Sequence, residues 1–70
     1  MRMLSPKERV YLEEALQLEN LCITKYSVYA DKCQDEAMKA ELFAMSKSKR
    51  RNANRLKQLL SHPKPHRYFQ

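Results

Sequence analysis

No glycine occurs anywhere in the 70 residues, and the three prolines, Pro6, Pro63 and Pro65, stand near the two ends. Glycine supplies left-handed backbone and proline terminates helices, so the long middle of the chain holds neither of the usual interruptions. That middle is filled instead with Ala, Leu, Glu, Lys, Arg, Gln and Met, the residues that lose least on entering a helix. The expected class is all-α.

Two sets of signals divide the chain. Ser5-Pro6-Lys7-Glu8 reads as a helix start, with Ser5 as N-cap, Pro6 in the first turn and Glu8 placed to complete a capping box. Asp35 followed by Glu36 offers a second start. The stretch "HPKPH", residues 62–66, ends any helix before it. The spacing therefore predicts helices over about 6–33 and 36–61, forming a hairpin unit within residues 1–61, and an extended basic tail over 62–70. A connection of a few residues makes the helices antiparallel neighbours.

Placing residues at 100° per step shows what each helix buries. On the first, Leu12, Ala15, Leu16, Cys22, Ile23, Tyr26, Ala30 and Cys33 surround Glu19, which sits mid-stripe, and Tyr11, Leu18 and Tyr29 widen the stripe on one flank. One partner helix cannot cover so wide an arc. Seventy residues in two helices also make a marginal core, so the pattern predicts a homodimer in which two hairpins form a four-helix bundle. On the second helix Met38, Leu42, Met45, Leu56, Leu59 and Leu60 make a stripe with Lys49 and Asn52 near its centre, while Lys47, Arg50, Arg51 and Arg55 point the other way with Phe43.

A carboxylate mid-stripe opposite a polar pair three residues apart is the layout of a di-metal carboxylate bundle. Through "ENLCITKYSVYA", with Glu19 and Tyr26 seven residues apart and Ala30 following, and through "NANRLKQLL", residues 4–60 resemble the ferritin-like superfamily. The likeness is to rubrerythrin-like hairpins and to the short spore coat protein F type of spore-forming bacteria. The resemblance implies a ferritin-like four-helix bundle in which Glu19 matches a metal ligand and Tyr26 a residue packed beside the metals. It also implies a Glu-x-x-His on the second helix, and the positions where that motif would fall hold Lys49 and Asn52. A protonated ammonium cannot coordinate a metal, and an amide is a weak ligand for iron or manganese. The reading is a vestigial site with no metal and no cofactor.

Other chemistry is sparse. Cys22 and Cys33 are about 16 Å apart along one helix, too far to bridge, and read as reduced thiols. His62 and His66 lie in the tail, away from either cysteine, so no nucleophile pair forms and the expected class is non-enzymatic. Residues 46–70 carry eight Lys/Arg and no Asp/Glu, which makes Lys47, Arg50, Arg51 and Arg55 a candidate binding face. The favoured function is a structural or adaptor protein, in the cytoplasm or the spore coat, whose partners are a second copy and an acidic protein or coat component. Nucleic acid on the basic face is the less favoured alternative, and a divergent metal-binding protein the next. No apolar run approaches the roughly 20 residues of a membrane span, and Met1 to Leu4 lack a signal-peptide core, so no membrane partner is expected.

Overall fold

A computed structural model describes residues 4–61. Helix α1 spans Pro6–Lys32 and helix α2 spans Glu36–Ser61. The two lie side by side as an antiparallel hairpin, the all-α architecture expected from the sequence. The tail, with its two histidines, falls outside the described residues.

Both helix starts are built from the residues that announced them. The Glu8 N–H donates to Ser5 Oγ at 3.0 Å and the Ser5 N–H donates to the Glu8 carboxylate at 2.9 Å, closing the capping box with Pro6 behind it. At α2 the Met38 N–H donates to Asp35 Oδ1 at 2.8 Å. The first helix ends at Lys32 rather than Cys33. Cys33 is its cap, in extended conformation, its N–H donating to the Ala30 carbonyl at 3.2 Å. An extended residue here redirects the chain and so replaces the glycine that helices commonly use at this place.

The seam between the helices follows a heptad. From α1 it takes Leu12, Leu16, Glu19, Ile23, Tyr26, Ala30 and Cys33, and from α2 it takes Lys39, Leu42, Ser46, Lys49, Ala53, Leu56 and Leu60, all buried or half-buried. Alternating steps of three and four keep one narrow stripe facing its partner. Its most buried members are small: Ala30 at 0%, Ala53 at 2% and Ser46 at 3% exposure. Small side chains let the backbones approach, and the Ser27 and Ser46 hydroxyls hydrogen-bond across the gap at 3.1 Å. At the open end the Arg9 guanidinium Nη1 donates to the Leu60 carbonyl at 3.0 Å, satisfying one of the carbonyls that α2 leaves unpaired at its terminus.

This seam lies to one side of the stripe predicted for α2. Met38, Met45 and Leu59, expected in the core, are exposed, as is Asn52. The reason is geometric. A single neighbouring helix covers a narrow arc, and the arc it covers is centred on Ser46 and Ala53, where approach is closest. No large side chain is fully buried among the described residues. Full burial of a leucine contributes about 1.5–3 kcal/mol, and every leucine of this seam is only partly covered.

Candidate functional site

Glu19 comes to the middle of α1's seam because Leu16 and Ile23, on either side of it, hold that face against α2. Across from it the Lys49 Nζ stands 3.5 Å from Glu19 Oε1. Glu19 Oε1 is enclosed and accepts no hydrogen bond among the described residues, so the contact is an ion pair rather than a directed bond. The Glu19 side chain is 18% exposed and that of Lys49 32%. About a third of the Lys49 side chain thus remains open to water, which screens the attraction.

A shallow depression of about 290 Å³ opens beside the pair, lined by Ala15, Glu19, Asn52, Arg55 and Leu56. The sequence pattern places Asn52 in the core; it lies instead on the rim of this depression. Arg55, expected to join Lys47, Arg50 and Arg51 on one basic face, borders the same depression. At 100° per residue, six positions separate Arg55 from Lys49 by about 120° on the depression's side, whereas Arg50 falls on the other. The cations therefore divide between two sides of α2. Tyr26 is half-buried in the seam.

The depression marks one side of the hairpin. By helical phase Tyr11, Leu18, Cys22 and Tyr29 of α1 lie on Ala15's side, and Met38, Met45 and Leu59 of α2 on Asn52's side. The large members, Tyr11, Leu18, Tyr29, Met38, Met45 and Leu59, are between 37% and 60% exposed. They continue a second heptad pattern. Met38, Met45, Asn52 and Leu59 succeed one another every seventh residue, and Tyr11, Ala15, Leu18, Cys22, Lys25 and Tyr29 alternate steps of four and three. On the opposite side a cleft of about 340 Å³ runs between Asn20, Ile23 and Thr24 of α1 and Arg50, Ala53, Asn54 and Lys57 of α2. The first side presents most of these large apolar residues, and the second is polar and basic apart from Phe43.

No family model matches this chain, and neither does any curated protein or solved structure.

Among the described residues no three of His, Cys, Asp and Glu come together as a metal-binding group. What surrounds Glu19 is the Lys49 ammonium, with Arg55 and the exposed Asn52 amide bordering the same depression, a set that does not fit a divalent pair. Cys22 and Cys33 are both free and half-buried, and the Cys33 thiol donates to the Asp35 carbonyl at 3.5 Å. No described helix is long and apolar enough to cross a membrane. The Arg9 clasp and the serine pair escape a reading that follows large apolar residues; the signal for the serine pair was Ser46 and Ala53 at heptad spacing, which marks close approach.

Proposed function

We propose that this chain is a non-enzymatic structural or adaptor module that works as a homodimer, two hairpins pairing through their apolar sides into a four-helix bundle. The observation that carries this reading is the second heptad pattern, in which Tyr11, Leu18 and Tyr29 of α1 and Met38, Met45 and Leu59 of α2 recur on one side of the hairpin and are left uncovered by its own seam. Coiled-coil packing needs such a row on each partner. A face two helices wide and about 40 Å long offers area on the order of the roughly 800 Å² per partner of a standard interface. At its centre two Glu19 carboxylates and two Lys49 ammonium groups balance in charge without a metal ion, and Asn52 supplies the one polar member of the α2 row.

The likeness of "ENLCITKYSVYA" to spore coat chains supports assembly as the role, in the cytoplasm of a sporulating cell or in its coat. Light scattering at micromolar concentration is expected to give a particle of twice the 8.4 kDa chain mass. A well-folded monomer there would refute the bundle. Fractionation of spores and growing cells tests the role, and enrichment in growing cells alone would remove it.

A further inference from the structure

The side of the hairpin away from the apolar face carries a row of side chains that neither the seam nor the proposed pairing uses. Lys47, Arg50, Arg51, Asn54, Lys57 and Gln58 are all exposed, and by helical phase they share one outward arc of α2. Between Ser46 and Ser61 there is no Asp or Glu. Among the described residues no carboxylate makes an ion pair with Lys47, Arg50, Arg51 or Lys57. Such a concentration of unpaired like charge along one helix works against folding by self-repulsion; an anionic partner removes that cost.

We infer that this row is a binding surface for the sugar-phosphate backbone of a nucleic acid. Three features choose this partner. First, the row is linear: Lys47 and Lys57 are ten helical steps apart, or about 15 Å of helix, the length of about four nucleotides at 3.4 Å per charge on one strand. Second, it borders the cleft whose walls are Asn20, Thr24 and Asn54, so neutral hydrogen-bonding groups stand beside Arg50 and Lys57, as backbone-positioning contacts require. Third, it lacks the apolar centre that protein interfaces build around. Phe43 is the exposed aromatic near it, and it sits at one end. An acidic protein would find charge here without an anchor. The inference does not rest on the homodimer, because the row and the apolar side face opposite ways.

The test is fluorescence polarisation of the full chain with a labelled 20-nucleotide single strand and with the duplex of that strand, titrated at several salt concentrations. Four phosphate contacts predict a slope of log K against log salt of about −3 for the single strand and somewhat steeper for the duplex, an affinity loss of about 60-fold between 50 and 200 mM salt. The relative affinities say which form is preferred. The Arg50→Glu, Arg51→Glu double variant should bind at least tenfold more weakly at 50 mM salt. Its milder counterpart, Arg50→Gln with Arg51→Gln, should lower the single-strand slope to about −1.5 with helix content unchanged by circular dichroism. Lys7→Glu with Lys32→Glu removes the same formal charge elsewhere and should cost far less. Absence of binding at 50 mM salt, a flat salt dependence, equal losses in the two charge-reversed variants, or competition by poly-glutamate as strong as by oligonucleotide would each overturn the inference.

Discussion

Glu19 and Lys49, whose charged atoms lie 3.5 Å apart, stand halfway along their helices, so this ion pair across the seam sits where both helices are farthest from fraying ends. At an effective dielectric near 20 the raw attraction at this distance is several kcal/mol, but desolvation and screening offset most of it. The pair still matters through what its loss leaves behind. Glu19 Oε1 is enclosed, and without Lys49 it loses the cation that stands within ion-pair range of it.

Replacing that lysine measures this cost. Lys49→Met should destabilise the fold by about 1–3 kcal/mol, below the 3–5 kcal/mol typical of a fully buried pair because Lys49 reaches water. Lys47→Met, which removes an exposed charge, should stay within about 0.5 kcal/mol. Urea unfolding of both variants decides it. Equal small effects would mean that Glu19 finds its solvation elsewhere.

Asn52 interrupts the row of Met38, Met45 and Leu59. A polar residue at one such position commonly sets register and number of chains at the expense of stability. Asn52→Leu is therefore expected to raise the melting temperature while broadening the distribution of species in sedimentation velocity. A variant that melts higher and remains a single homogeneous species would show that Asn52 has no part in specifying the assembly.

Metal content tests the reading of Lys49 and Asn52 as replacements. The purified protein should carry less than one iron or manganese per bundle, and a chelator should leave its melting temperature unchanged. Lys49→Glu together with Asn52→His places a carboxylate and an imidazole opposite Glu19, the ligand types such ions take. This double variant is expected to bind added iron(II) or manganese(II) with a gain in thermal stability, by mass action on the folded state. Two tightly held ions per native bundle would contradict the ion-pair centre.

Much of the fold was legible before any coordinate. Ser5, Pro6 and Glu8 marked one helix start and Asp35 the other because capping is local chemistry, settled within four residues of chain. The antiparallel hairpin followed from the short connection. The position of Glu19 was legible too, since a stripe of large apolar residues surrounds it on both sides.

The angular setting of α2 was not. Helical periodicity says that Met38, Met45, Lys49, Asn52, Ala53 and Leu56 crowd one half of the helix, but not which third of it meets α1. Large residues dominate a count of hydrophobicity, while close approach is won by small ones, so Ser46 and Ala53 took the seam and the methionines were turned aside. The division of the basic cluster, with Arg55 beside Glu19 and Arg50 on the far cleft, is a consequence of that same rotation. Helix lengths, ends and charge distribution are properties of consecutive residues, and the sequence by itself determined them. Which face each helix presents to the other, and which it leaves open, depends on how two surfaces fit, and only the tertiary structure decided it.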